Sequence, residues 1–229
     1  MPGPLGGVGR APPDWVDEDE ASVWDDIERD ARRARRRDRN GAADDEDPPA
    51  SARARGRGAA VASAARHYVG AERLRCDGED FREDCSGFVA CAYARAGLAL
   101  SGGSAGMLEL ARELGVFHRR RRPSVGDVAF FENTYDANGN GKNDDEVTHV
   151  AVVVGVEEDG TIALVHHGSG GVGWLVMNLE HPDLRRSEGD KELNSFLRAE
   201  QRRDDPGTEY LAGELWIGFA AFWRALPER

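Results

Sequence analysis

The sequence predicts an α+β domain behind a disordered, charged N-terminal arm. Three observations predict it. Helix-forming stretches closed by glycine come first, over residues 59–70, 85–97 and 107–115. Runs of β-branched residues bounded by glycine come second, at 127–131, 148–154 and 161–166. Helices followed by neighbouring strands give an α+β domain with an antiparallel sheet. The first 58 residues show neither pattern.

Residues 1–58 alternate Pro/Gly stretches with an acidic block from Asp14 to Asp30, a basic block from Arg32 to Arg39, a second acidic block from Asp44 to Asp47, and an Arg/Gly stretch. Such a composition buries too little apolar surface to offset the entropy of ordering, so the arm reads as an unstructured tether. Residues 59–226 then form one folded domain, as 229 residues with 40% hydrophobic content allow one medium core. The net charge of -12 argues against a nucleic-acid partner. No run of 18 apolar residues is present, so no membrane span is expected. The start, Met1 to Gly7, lacks the basic and apolar regions of a signal peptide. No heptad pattern asks for a second copy, and a monomer is expected.

Taken in order, Ala59 to Gly70 is rich in helix formers and stops at glycine. Leu74 to Arg82 carries Asp77-Gly78 between short alternating runs, a hairpin signal. The next helix opens at Cys85, with Phe88, Val89, Ala92 and Ala96 as its buried stripe. Met107 to Leu114 is a third helix, and the basic run His118 to Arg122 a solvated surface. Three strands follow, and Trp174 to Leu179 adds another. Pro182 to Gly207 is polar and reads as a loose segment, after which Leu211, Leu215, Ile217, Phe219, Phe222 and Trp223 return to the core.

Cys85 carries the chemistry in this scheme. The unpaired N–H groups and dipole of a helix N-terminus favour an anion, which lowers a thiol pKa and makes sulfur a nucleophile. A base must lie within hydrogen-bond reach, held by a third polar group. His149 opens one strand and His166 closes the next. A loop over residues 156–159 sets Gly155 opposite Gly160 and His149 opposite His166. A two-residue turn at Asp159-Gly160 moves His149 four positions from that pairing. His167 points to the other face and rivals His166 for the role. Cys91 reads as core packing; Cys76 falls in the hairpin, where a disulfide stays open.

Between Phe131 and His149, the residues Asp136, Asn138, Asn140, Gly141 and Asp144 fall at positions 1, 3, 5, 6 and 9 of a calcium loop. Position 12 is Val147, where such a loop wants a glutamate. Structural calcium and a plain Asn/Asp/Gly turn cluster both fit this pattern. A bound ion would brace the loop and take no part in the chemistry, which requires no cofactor.

The runs Asp84-Cys85-Ser86-Gly87-Phe88-Val89, Gly126 to Phe131, Thr148 to Val153 and Val165-His166-His167-Gly168-Ser169 together resemble the NlpC-type and CHAP cysteine peptidases of bacterial cell walls. The likeness covers roughly residues 59–180. It implies a papain-like fold, with the nucleophile helix packed on an antiparallel sheet. It also implies hydrolysis of peptidoglycan amide bonds, by an endopeptidase or amidase acting through an acyl-enzyme in the cell envelope or outside the cell. Carried over by position, Cys85 is the nucleophile, His149 the general base and acid, and His166 the residue orienting His149. One departure stands out: the tyrosine those enzymes usually carry shortly before the cysteine is absent, so the second oxyanion donor is unassigned. The other readings are an intracellular thiol hydrolase of another amide or thioester, and an inactive papain-like binding domain.

Overall fold

A computed structural model describes residues 51–229 other than positions 72, 77, 141, 143, 203, 205 and 206, so the arm up to residue 50 lies outside the described residues. Ser51 caps helix α1 (Ala52–His67), its hydroxyl accepting the Ala54 N–H at 3.1 Å. The helix begins at Ala52 and not at Ala59 because the Arg/Gly stretch has partners. Arg53 pairs with Glu228 at 2.7 Å, and Arg57 donates to the Leu226 carbonyl. Gly58 allows a close crossing: a Cβ there would stand 2.5 Å from the Val125 oxygen. Gly126, at φ 92°, meets Gly58 from the other side, and its own Cβ would lie 2.5 Å from the Gly58 oxygen.

The expected hairpin forms from β1 (Arg75–Cys76) and β2 (Glu79–Asp80). Helices α2 (Cys85–Arg95) and α3 (Ser104–Glu113) follow. Strands β3 (Phe117–His118), β4 (Val128–Phe131), β5 (His149–Val156), β6 (Thr161–Gly168), β7 (Gly171–Asn178) and β8 (Trp216–Ala220) form one antiparallel sheet in the order β3-β8-β4-β5-β6-β7. Two short helices, α4 (Ala212–Leu215) and α5 (Phe222–Ala225), flank β8. This is the α+β arrangement the sequence predicts.

Both faces of the central strands are covered. Val128, Phe130, Val150, Val152 and Val154 join α1 and α2 in one core, while Ala129, Phe131, Ala151 and Val153 join Leu164, Trp216 and Phe219 in a second. That is why β4 and β5 read as continuous apolar runs and not as alternating ones. Helix α2 is buried on every side from Ser86 to Ala94, more than an amphipathic stripe implies, because α1, β1, β5 and β6 all pack on it. Cys91 does not simply fill space: it is disulfide-bonded to Cys76, with Cα atoms 5.7 Å apart and both residues fully buried.

Two expectations need correction. The register expected for the β5–β6 hairpin pairs Val153 with Ile162, but Val153 sits opposite Leu164. The turn is longer, with the Glu157 N–H donating to the Thr161 carbonyl at 2.8 Å and the Asp159 carboxylate accepting the Thr161 N–H at 3.0 Å. An irregularity between Val153 and Gly155 then shifts the pairing again. Second, the segment from Pro182 to Gly207 lacks regular structure but is not loose. The fully buried Asn194 donates to the carbonyls of His181 and Leu184 and accepts the N–H groups of Asn178 and Gly213. Arg198 and Asp204 form an ion pair at 2.8 Å, their side chains only 4% and 7% exposed.

Candidate active site

The site starts with the cap of α2. Asp84 is extended at φ -142°, and its Oδ1 accepts the Gly87 N–H at 2.7 Å and the Ser86 hydroxyl at 2.8 Å. The Arg82 guanidinium lies 3.2 Å from the other carboxylate oxygen and donates to the Ser86 hydroxyl at 2.5 Å. Gly87 is required for this geometry, since a Cβ on it would stand 2.0 Å from the Arg82 carbonyl oxygen. Cys85, half-buried and the chain's one free thiol, therefore has a fixed backbone position.

On the sheet side, His149 is the first residue of β5 and is 8% exposed. Its neighbour Thr148 fixes the entry to the strand: the Thr148 N–H donates to the Phe131 carbonyl at 3.0 Å, and its hydroxyl accepts the Thr134 N–H at 2.9 Å. His149 Nε2 and His166 Nδ1 are 2.8 Å apart, with the rings nearly perpendicular at 78°. The pair survives the two-residue register shift because a shift by an even number keeps side chains on their face. The imidazoles meet diagonally. His167 is paired opposite Val172 and does not replace His166 in this contact.

Cys85, His149 and His166 line one cavity of about 1020 Å³, together with Arg82, Tyr135, His167, Phe196 and Arg198. The spacing of the sequence gives no hint of the last two. They arrive from the 182–207 segment, whose polar composition carries no helix or strand period.

The electrostatics reverse one expectation. Burial pushes the Cys85 thiol pKa up, and the Asp84 carboxylate adds to the rise. The N–H groups of Val150, Ser86 and Cys85 pull the other way without overcoming it. Burial works against the Asp84 carboxylate too, but the Gly87 N–H, the Ser86 hydroxyl and the Arg82 charge outweigh it and hold its pKa below the ordinary range. Burial, followed by the neighbouring His166 and His167, lowers His149 to about 3; burial, followed by His167, lowers His166 to about 4. At neutral pH the resting site therefore holds a thiol and two neutral imidazoles, not a thiolate–imidazolium pair.

The described residues of the 136–144 segment bond to one another. Asp136 accepts the N–H groups of Gly139 and Asn140, and Asn138 and Asn140 turn their amide nitrogens toward Asp144 at 3.1 and 3.0 Å. In this arrangement the amide oxygens do not converge with the carboxylates. Among the described residues, no group of three or more His, Cys, Asp or Glu is placed to hold a metal ion.

Residues 76–168 match the CHAP domain family. Among solved structures, a protein similar to lipoprotein, NLP/P60 family, from Staphylococcus aureus subsp. aureus Mu50 is 24% identical with a TM-score of 0.36, the match covering 56% of this chain and 39% of that one. The chain thus spans well under half of that relative's length. No curated protein matches the chain. Among the described residues, no helix is long and apolar enough to cross a membrane.

Proposed function

We propose, from the match of residues 76–168 to the CHAP domain family, that the chain is a cysteine-dependent hydrolase of peptidoglycan amide bonds. The observation that carries this is the 2.8 Å contact between His149 Nε2 and His166 Nδ1 in the cavity that holds Cys85. Nε2 donates to His166, which leaves His149 Nδ1 as the lone-pair nitrogen able to accept the thiol proton. A proton acceptor with one tautomer fixed by a neutral partner is what nucleophilic sulfur needs.

The reaction begins with substrate filling the cleft. His149 Nδ1 takes the Cys85 proton as sulfur attacks the amide carbonyl carbon, and the C=O electrons move to oxygen. The Cys85 N–H, at the start of α2, faces the developing oxyanion. His149 then returns the proton to the departing amine, leaving a thioester. A water molecule, losing its proton to His149, attacks that thioester; the carboxylic acid leaves and the thiol is restored. Throughout, His166 accepts the His149 Nε2–H and stabilises the imidazolium without adding charge.

A calcium ion held by Asp136, Asn138, Asn140 and Asp144 remains a proposal on the spacing of those side chains, and both amides would have to turn their oxygens inward. It would brace the approach to Thr148 and His149. Millimolar calcium then raises the wild-type Tm by several degrees and leaves an Asp136→Ala/Asp144→Ala variant unmoved; an unmoved wild type rejects the ion.

The test of function is digestion of purified peptidoglycan by wild type and Cys85→Ala, with the soluble fragments weighed by mass spectrometry. Wild type releases fragments carrying one water per cut amide, and the variant releases none. Equal release by both would reject the thiol, and none by wild type would reject the substrate.

A further inference from the structure

The disulfide lies at a place that the proposed chemistry does not use but depends on. Cys76 is in β1 and Cys91 in the middle of α2, so the bond ties the hairpin to the helix that opens with Cys85. Beside this bond, the hairpin is held by the burial of Leu74 and Cys76 in the main core, with Phe81 packed against it, and by a small set of polar contacts. Among the described residues its strands pair Arg75 with Asp80 and Cys76 with Glu79, and two-residue strands are not stable alone. Within it the Phe81 N–H donates to the Leu74 carbonyl at 2.8 Å, and the Arg75 guanidinium donates to the Gly78 carbonyl at 3.3 Å and lies 3.9 Å from the Asp80 carboxylate. Outside it, the Tyr68 hydroxyl donates to the Arg75 carbonyl at 3.0 Å and Arg229 reaches Glu79 at the surface.

Movement there reaches the site directly. The hairpin ends at Asp80, and Arg82, two residues on, carries the carbonyl pressed against Gly87 and the guanidinium bound to Asp84 and Ser86. Both sulfurs are also out of reach of solvent in the folded protein, as Cys76 and Cys91 are 0% exposed. A reductant therefore meets them only when the structure opens.

We propose that oxidation of Cys76 and Cys91 is the maturation step that makes the Cys85 site competent, confining activity to an oxidising compartment. In it, the two thiols lose two protons and two electrons to a disulfide-bearing oxidant, whose own disulfide becomes two thiols, and one S–S bond forms. Cys85 takes no part. The proposal rests on Cys85 being the nucleophile.

The test compares three full-length proteins: oxidised wild type, wild type unfolded with reductant and refolded under it, and Cys76→Ala/Cys91→Ala. Circular dichroism follows the fold, alkylation of Cys85 mapped by mass spectrometry follows the site, and peptidoglycan digestion follows activity. Expected are one reactive thiol in native oxidised protein, and at least a tenfold loss of digestion in both the reduced protein and the variant, with a changed pH profile of Cys85 alkylation. A smaller loss, with the alkylation profile unchanged, overturns the proposal. Should oxidised wild type digest nothing, the substrate assignment fails, and the alkylation profiles alone still decide whether the bond sets the thiol.

Discussion

Asp84 acts on Cys85 in two opposed ways. As a cap it fixes the start of α2 through the Gly87 N–H, and as a charge it raises the thiol pKa that a helix N-terminus would lower. Asparagine in its place keeps the accepting oxygen and removes the charge. Asp84→Asn should therefore leave the Tm nearly unchanged and make Cys85 several-fold more reactive toward iodoacetamide at pH 8, as read by timed alkylation and intact mass. Slower alkylation with an unchanged Tm would show that the carboxylate adds nothing to the rise that burial produces. The position of the thiol was legible in the sequence, since a helix that opens Asp84-Cys85-Ser86-Gly87 shows its own cap. Its charge state was not, because burial depends on β5 and on the distant segments that close the cavity.

At the scale of elements, β5 and β6 bring two neutral histidines together in a desolvated place, and acid acts on that contact. The folded chain holds His149 at about 3 and His166 at about 4, against about 6.5 for an unstrained imidazole. Below pH 6.5 the unfolded chain binds protons that the folded chain refuses, so stability is lost as pH falls from about 6.5 toward 4. Thermal unfolding at half-unit steps should show the wild-type Tm falling across that window, and His149→Gln/His166→Gln falling less. Parallel slopes for the two proteins would place the acid sensitivity elsewhere. The strands themselves were legible from their β-branched runs. Their register was not: it rests on the Asp159 carboxylate binding the Thr161 N–H and on the irregularity after Val153, neither of which alters the apolar pattern. The two histidines still meet because alternation survives an even shift.

Over the whole molecule, segments far apart in sequence complete the cleft. Arg198 reaches across 65 positions to donate to the Asn133 carbonyl at 2.7 Å, and its ion pair with the buried Asp204 fastens the wall that presents Phe196. Among the described residues, Arg198→Met leaves that carboxylate, 7% exposed, with the Gln201 N–H and the Tyr210 hydroxyl, and should cost about 3–5 kcal/mol in urea unfolding. A loss under about 1 kcal/mol would mean that the segment is held elsewhere. Nothing in the composition of residues 182–207 announced this wall, because a fastening made by single buried polar side chains has no periodicity. The same holds for the start of α1, where Arg/Gly composition concealed residues held by the C-terminal end of the chain. These parts converge on Cys85, the proposed nucleophile. With Cys76 and Cys91 bonded to each other, iodoacetamide at pH 9 without reductant labels one site. Samples alkylated to graded extents are each weighed intact and assayed for amine release from purified peptidoglycan. Residual activity should equal the unlabelled fraction and vanish at full labelling; activity that survives full labelling of Cys85 would rule it out as the nucleophile.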